Sequence, residues 1–515
     1  MRFPFPEKIP LQWAFVFASV LLCLQVGLRT DIYFASCVFI YILLATYAFN
    51  VCGGMFRASG AFVLLHAVFA LILSQCMKVV MGEPANSNLH EPDRTITVYL
   101  VAMIGVTVAA IANQKIRPRK SIVDDVEDIH RLPQMAIGCF LMGALFPWIA
   151  MLYGGNASGS IWAALNQLQY FLPLSIILAT YSAIKTSKGA RSVNALSLIA
   201  MTYSFLGGLL ASSKQGIFSP LAAYLLTCAA LRFRFKIATI ALLAVIGVIS
   251  VQFLVPVIQI MKGEGDFLPT FSSRFNMEKD LLSHPVETAA AYKLSQDQVD
   301  ENKAQIDYYD VPMGLMDRWS LISISSLLVE YTDHGHLHGW HSMVLSVESI
   351  IPHFIWPDKP SPILGNEYAR EIGGIVGEDD TTTGITIPFE ADSYALGGLM
   401  GVFLISSVVV GFYLYAFDAL VGDIRKSPWG LVVLVLLAHD ASEIGAGGLI
   451  PNALITTLKI WTVVMLTRHV LPAFGSLFRG PEKAHIVHVP AARPIPRRPG
   501  SGPRVAPQNL PATGD

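Results

Sequence analysis

The sequence has little charge. Of its 515 residues only 14% are charged, while 53% are hydrophobic and the mean hydropathy is +0.53. Soluble domains carry about 25% charged residues, so this composition argues against a soluble fold and predicts an all-α, polytopic membrane protein. The net charge of -1 leaves no basic footprint for nucleic acid. All six cysteines lie in apolar segments, which excludes a disulfide framework or a CxxC metal site in the polar segments.

Apolar runs indicate how the chain crosses a membrane. Twelve runs approach the roughly 17–25 residues of a spanning helix, and they begin near residues 11, 32, 59, 96, 133, 169, 193, 216, 236, 394, 428 and 450. If the N-terminus is cytoplasmic, the inner segments carry 16 Lys and Arg residues and the short outer loops carry 4. Because cytoplasmic loops retain positive charge, we expect both termini in the cytoplasm.

A long polar stretch divides the apolar runs. We assign nine helices to residues 1–260, an extracytoplasmic loop to 261–393, three helices to 394–470 and a disordered cytoplasmic tail to 471–515. From Met261 to Asp392 the stretch holds 22 Asp and Glu against eight Lys and Arg. Two apolar segments inside it, residues 313–329 and 342–356, are expected to lie along the outer interface or to cap the bundle.

The sharpest local pattern in the loop is IPHFIWPDKP, residues 351–360. Its three prolines restrict the backbone. Trp356 offers a flat ring of the kind that stacks on sugars, and Lys359 offers a cation for phosphate. An interfacial aromatic anchor with a snorkelling lysine explains the same residues equally well.

Several further motifs accompany that pattern: Gly365-Asn366-Glu367, Thr382-Thr383-Gly384, PFEADSYALGGLMG (residues 388–401) and SSKQG (residues 212–216). With them the chain resembles the Wzy-like O-antigen and exopolysaccharide polymerases. SSKQG carries Lys214 where such proteins often carry an arginine, which places bidentate phosphate binding there in question.

The resemblance implies a membrane glycosyltransferase of the bacterial inner membrane that joins polyprenyl-diphosphate-linked glycan repeats on the outer face. A repeat-unit flippase and a chain-length regulator are the implied neighbours, and membrane lipid surrounds the enzyme. No cofactor and no metal are expected, because fixed cations can neutralise the leaving diphosphate.

The chemistry of that transfer selects candidate residues. Negative charge grows on the departing diphosphate, and we expect cations of the loop and of SSKQG to bind it, in the order Arg318, Arg370, Arg274, Lys214. A base must take the acceptor proton: Glu390, expected near the outer mouth of the tenth span, is preferred over His353. Glycan contacts are assigned to Trp356, Lys359 and Asn366. Ion pairs for the arginines and helix capping for Glu390 are the structural alternatives.

Two further groups of polar residues have competing interpretations. The stretch from Asp333 to His341 holds four histidines, and a polar surface turn explains it better than a zinc site. Lys459 falls within the last apolar run, and Asp440 and Glu443 lie near the outer end of the run before it. A buried ion pair that fixes helix packing explains these three somewhat better than a substrate site.

Three other functions fit the same sequence. An O-antigen ligase would share topology and donor. A secondary transporter would show internal repeats and discontinuous helices, and no repeat period stands out. A non-catalytic scaffold would use the loop to bind a partner protein.

Overall fold

The fold is helical throughout its described part. The computed structural model describes residues 1–123, 129–153, 170–264, 271–300, 308–310, 320–337, 339–351, 355–356, 364–372 and 385–478. These residues form helices joined by short connections and contain no β-strand, which confirms the all-α prediction for this part of the chain. Met1–Phe478 is one compact unit, so the described helices of the predicted loop belong with the bundle.

The helices are numbered here in chain order. The first nine are α1 Leu11–Gly27, α2 Ile32–Cys52, α3 Ala58–Met81, α4 Pro92–Ile116, α5 Leu132–Tyr153, α6 Phe171–Thr186, α7 Ala195–Leu210, α8 Lys214–Ala230 and α9 Ile237–Met261, which continues to Glu264. The loop contributes α10 Phe271–Ser283, α11 Pro285–Asp300, α12 Leu321–Asp333, α13 His341–Ser349 and α14 Leu364–Ile372. The last four are α15 Phe389–Val421, α16 Trp429–Glu443, α17 Ala446–His469 and α18 Leu471–Phe478.

A helix lies at each of the twelve predicted apolar runs. Within the described part of the chain, six of them are long and apolar enough to cross a membrane, namely α2, α3, α4, α9, α15 and α17. Five others, α1, α5, α6, α7 and α16, have apolar stretches of only 10–17 described residues, and α8 has 17 residues. The protein is therefore a helical membrane protein, and the twelve-span topology stays a prediction.

Residues predicted to share one side of the membrane do share one end of the bundle. Ser59 of α3 and Asn113 of α4 both donate hydrogen bonds to the buried Asp418 of α15. Arg425 contacts Glu7 at 3.3 Å at this end, which we name the Asp418 end. The opposite end, where α4 begins, is named the Arg94 end. Charge counting assigns the Asp418 end to the cytoplasm.

Helix α15 is interrupted and folds back on itself. Gly398 has φ 58° and ψ -155°, a conformation open to glycine and strained for other residues. A Cβ on Gly401 would lie 2.7 Å from the carbonyl oxygen of Ser393. A continuous helix would separate two residues eight positions apart by about 12 Å. Residues 389–396 therefore form a short re-entrant helix that packs beside the span 399–421.

Two loop helices, α12 and α14, pack against the re-entrant helix and the segment before it, toward the Arg94 end. Helix α12 is buried along most of its length, and the hydroxyl groups of Ser325 and Tyr99 lie 2.9 Å apart. Helix α14 packs against the segment before α15, because a Cβ on Gly365 would lie only 1.9 Å from the Ile385 carbonyl oxygen. The apolar segment 313–329 was expected to cap the bundle or lie along its interface. Its described part, within α12, is buried in the unit.

The first residues of the predicted tail are helical. Residues 471–478 form helix α18, whose Gly475 backbone approaches the Gln134 carbonyl of α5 so closely that a Cβ would lie 2.0 Å from that oxygen. Because this apolar helix buries itself against α5, residues 471–478 belong with the bundle, and the disordered tail stays a prediction. Residues 479–515 lie outside the described part of the chain.

Substituting Gly398 by alanine tests the hairpin. The Cβ has open space around it, so Gly398→Ala should destabilise the protein only through backbone strain, by about 1–3 kcal/mol. Thermal unfolding of the purified protein in detergent measures this. Gly247→Ala in the interior of α9, where a Cβ also meets nothing within 4 Å, is the matched control and should not lower Tm. Equal Tm values for both variants would contradict a strained turn at Gly398.

Candidate functional site

A hydrogen-bonded pair of ionisable side chains lies inside the bundle. Nε2 of His66 on α3 is 2.6 Å from Oε1 of Glu390 on the re-entrant helix, and each side chain is 1% exposed. Nδ1 of the same ring is 2.7 Å from the carbonyl oxygen of Ala441 on α16. One histidine thus connects three helices that are far apart in sequence.

Aromatic rings keep this pair dry. The His66 ring stacks on Phe389 with 4.7 Å between centroids and on Phe62 with 5.7 Å. Phe62 also packs against Tyr413 at 5.0 Å. In such a low-dielectric environment, hydrogen bonds between polar groups are strong and unpaired polar groups are costly.

Two helix ends face each other across the pair. Glu390 is the second residue of the re-entrant helix, where the positive end of the helix dipole favours an anion. Ala441 lies in the last turn of α16, where free carbonyl groups favour a cation. A protonated His66 and an ionised Glu390 each lie at the helix end of opposite sign. The termini therefore stabilise charge inside an apolar bundle.

Polar atoms around the pair remain without hydrogen-bond partners in the described part of the chain. Oε2 of Glu390 and Oγ of Ser393, one turn further along the re-entrant helix, are both buried and unbonded. The hydroxyl groups of Tyr41 and Tyr99 lie within electrostatic reach of the Glu390 carboxylate. Buried unpaired oxygens of this kind are rare and often mark a functional site. One carboxylate oxygen is thus available to a ligand or substrate.

A second carboxylate joins the re-entrant helix to its neighbours. Asp392 Oδ1 accepts a hydrogen bond from the Tyr368 hydroxyl of α14 at 2.8 Å. Oδ2 accepts one from the Gly447 backbone N–H, in the first turn of α17, at 3.3 Å. Asp392 therefore holds together α14, the re-entrant helix and the start of α17. The two motif stretches 365–367 and 388–401 are neighbours in space because of this contact and the close approach of Gly365 to Ile385.

The Arg94 end closes over the site through Asp333. This last residue of α12 accepts a hydrogen bond from the Tyr394 hydroxyl and forms an ion pair with Arg94 at 3.2 Å. One turn earlier, Glu330 lies 3.0 Å from Nδ1 of His90. The Asp333–His341 stretch is thus tied down at its first residue, and His336 stacks on Tyr331 at 4.3 Å.

The structure brings some of the predicted site residues together. Glu390 and the 2% exposed Asn366 lie on the neighbouring elements described above. Arg370 is exposed on α14, Lys214 is half-buried at the first residue of α8, and Trp356 is 36% exposed. Arg318, His353, Lys359 and the Thr382–Gly384 motif lie outside the described residues, as does the side chain of Arg274.

Glu390 lies deeper than predicted. The sequence placed it at the outer mouth of a span, but that span starts only after the Gly397–Gly398 reversal. The carboxylate instead reaches His66, about 22 Å along α3 from its last residue, Met81. The described contacts of Glu390 are therefore with a buried histidine, and they do not include the helix cap that was the structural alternative for this residue.

His66 is the residue that sequence reasoning missed. A lone histidine in an apolar run offers no motif, although any ionisable residue inside a span is a candidate functional group. Asp440 was considered as an ion-pair partner of Lys459, and it accepts a hydrogen bond from Asn452 at 3.1 Å. Lys459 is half-buried in α17. No group of three potential metal ligands occurs among the described residues.

No protein-family model matches this chain, and neither curated proteins nor solved structures give a significant match.

Removing one member of the pair should cost more stability than removing both. His66→Leu leaves the Glu390 carboxyl buried opposite an apolar side chain, which should destabilise the protein by about 3–5 kcal/mol. The double variant His66→Leu, Glu390→Leu removes the unpaired polar group and should recover much of that loss. Denaturant unfolding in mixed micelles measures both. If the two substitutions are additive, the pair contributes no coupling and this account of the site is wrong.

Proposed function

We propose that the protein is a membrane glycosyltransferase that polymerises polyprenyl-diphosphate-linked oligosaccharide repeats on the outer face of the bacterial inner membrane. The sequence resemblance to Wzy-like polymerases supports this proposal. The observation that carries it furthest is that α14, which contains the 365–367 motif, is hydrogen-bonded through Tyr368 to Asp392 of the 388–401 motif, two residues from the buried carboxylate of Glu390.

Glu390 has the properties that the acceptor step requires. A sugar hydroxyl becomes a nucleophile when a positioned base takes its proton. Oε2 of Glu390 has no hydrogen-bond partner among the described residues, and His66 fixes the other carboxylate oxygen. The carboxylate takes the hydroxyl proton, and His66 stabilises the charges on the pair. The transfer breaks the bond between the anomeric carbon and the diphosphate and forms one to the acceptor oxygen.

The leaving diphosphate needs cations, and the predicted ones lie on other segments than the base. Arg370 is exposed on α14, two residues after the Tyr368 that bonds Asp392. Separating cations from the acidic interior suits the reaction, because a carboxylate beside a diphosphate would repel it. Arg318 and Arg274 supply further guanidinium groups from the same loop.

Access to the base requires movement. The Glu390 side chain is 1% exposed, so an acceptor reaches it only after α12 and α14 move away from the re-entrant helix. The contacts of Asp333 with Tyr394 and Arg94, at the end of α12, are the ones that such an opening breaks.

The cations can be tested by substitution. Arg318→Ala and Arg370→Ala should each abolish chain growth while leaving membrane insertion intact, and Arg→Lys should rescue only part of it because the planar fork is lost. The surface glycan on a gel measures chain length. Arg425→Ala, which removes a half-exposed arginine at the Asp418 end, is the control and should leave chain length unchanged. Full activity of both loop variants would exclude them as diphosphate ligands.

The base can be tested separately. Glu390→Gln keeps the size and the hydrogen bonding of the side chain but cannot accept the hydroxyl proton, so chain growth should fall by about 10²-fold or more. The matched control is Asp423→Asn at the Asp418 end, which should keep wild-type chain length. Normal polymer from Glu390→Gln would remove Glu390 from the reaction.

A secondary transporter is the second candidate, and one observation favours it. Discontinuous helices whose ends meet inside the membrane are typical of transporters, and the re-entrant helix meets the end of α16 in this way. Deleting the gene separates the functions. Single-repeat glycan indicates a polymerase, long unattached polymer indicates a ligase, and unchanged glycan with lost solute uptake indicates a transporter.

A further inference from the structure

The hydrogen bonds of His66 fix how many protons the pair carries. Nδ1 lies 2.7 Å from the carbonyl oxygen of Ala441. A carbonyl oxygen can only accept a hydrogen bond, so Nδ1 must carry a hydrogen and donate it. Nδ1 is therefore protonated in every form of the ring that keeps this hydrogen bond. The other nitrogen, Nε2, then determines the charge of the pair.

The contact between Nε2 and Oε1 of Glu390 is 2.6 Å, and it needs one proton between the two atoms. Either Nε2–H donates to an ionised carboxylate, or a protonated Oε1 donates to a neutral ring. Both forms contain the same number of protons and have zero net charge. We call the arrangement closed when His66 makes both contacts, with Ala441 and with Glu390. Counting the proton on Nδ1, the closed arrangement holds one proton more than a neutral histidine and an ionised carboxylate hold together.

Loss of that proton is incompatible with the observed geometry. If the remaining hydrogen stays on Nδ1, lone pairs of Nε2 and Oε1 face each other at 2.6 Å. If it moves to Nε2, the lone pair of Nδ1 faces the Ala441 carbonyl at 2.7 Å. A dry site cannot keep a repulsive contact of this kind, so either the His66–Glu390 contact or the His66–Ala441 contact must break.

We propose that His66 and Glu390 form a proton-binding site in the membrane interior, whose single dissociable proton holds the re-entrant helix, α3 and α16 together. Release of the proton to solvent leaves a neutral histidine and a carboxylate, and it frees the re-entrant helix from α3 or α3 from α16. The ligand is a proton, and the inference does not depend on the transfer reaction proposed above.

The other ionisable groups near the pair do not replace it in this role. Tyr41 of α2 and Tyr99 of α4 are phenols, which ordinarily ionise near pH 10. Asp392 on the re-entrant helix accepts hydrogen bonds from Tyr368 and Gly447, and Asp440 of α16 accepts one from Asn452. Glu330 and Asp333 of α12 are paired with His90 and Arg94 at the Arg94 end. Each of these four carboxylates is thus bonded to a partner other than His66.

The direction of the pH effect follows from proton counting. The closed arrangement binds one proton more than the separated one, so closure is favoured at low pH and is lost as the pH rises through the midpoint of the pair. Glu390→Gln should remove this dependence. Its amide group can donate to Nε2 without ionising, which imitates the protonated pair at every pH.

Proton counting on the purified full-length chain tests the site. Between about pH 5 and pH 9, difference titration should show wild type releasing about one proton more per chain than Glu390→Gln. Asp423→Asn is the control. Partial burial opposes ionisation of Asp423, but hydrogen bonds from Arg425 outweigh it and hold the pKa of this carboxyl below its ordinary value. Asp423 is thus ionised over the whole range, so Asp423→Asn should release the same number of protons per chain as wild type. A zero difference for Glu390→Gln would overturn the proposal.

Hydrogen exchange of the same preparations tests the structural consequence. Peptides covering residues 385–396 and 439–447 should lose protection in wild type as the pH rises, after correction for intrinsic exchange, whereas a peptide of α7 should not. In Glu390→Gln the protection should be independent of pH. Wild-type protection that does not change with pH would overturn the proposal, even if the variant cannot be prepared in folded form. A pH dependence that persists in the variant would do so too.

Discussion

A pair of ionisable side chains inside an apolar bundle constrains the surrounding structure. Moving isolated charges out of water is very costly, so His66 and Glu390 can be buried only if they are paired and if their environment favours the charges. The re-entrant helix presents its N-terminus to the glutamate, and α16 ends with its carbonyl groups beside the histidine. The start of the re-entrant helix at Phe389 and the end of α16 at Glu443 supply these two helix ends.

These helix ends also leave backbone N–H and C=O groups inside the bundle that require hydrogen-bond partners. A helix that ends inside the bundle exposes N–H and C=O groups that no water can satisfy. Asp392 meets this need at the start of α17 by accepting a hydrogen bond from the Gly447 N–H. Four of the long spans contain π-helical turns among the described residues, at Val68–Ile72, Ser250–Leu254, Ile405–Val409 and Asn452–Thr456, and the first begins two residues after His66. Such turns are rare and concentrate at functional sites.

The buried carboxylates and the Lys and Arg residues of the loop suit different partners. Glu390 is hydrogen-bonded to an imidazole, Asp392 to a hydroxyl group and Asp440 to a side-chain amide. Of the proposed diphosphate ligands, Arg370 is exposed on α14 and Lys214 lies at the start of α8. A polymerase needs both kinds of group, one for the acceptor and one for the donor, and the proton site gives the acceptor side a means of opening and closing. A proton-coupled transporter would use the interior alone.

The sequence by itself determined the class of the protein, because hydrophobic run length and the side-to-side distribution of Lys and Arg are one-dimensional properties. The twelve helix positions and the grouping of Arg425 with Glu7 at one end followed from them. It also directed attention to Glu390 and Asn366 through their motifs. Only the tertiary structure decided what Glu390 contacts, because its partner His66 is 324 residues away and no local pattern records such a contact. Likewise, the reversal at Gly398 depends on a backbone conformation that two glycines permit but do not require.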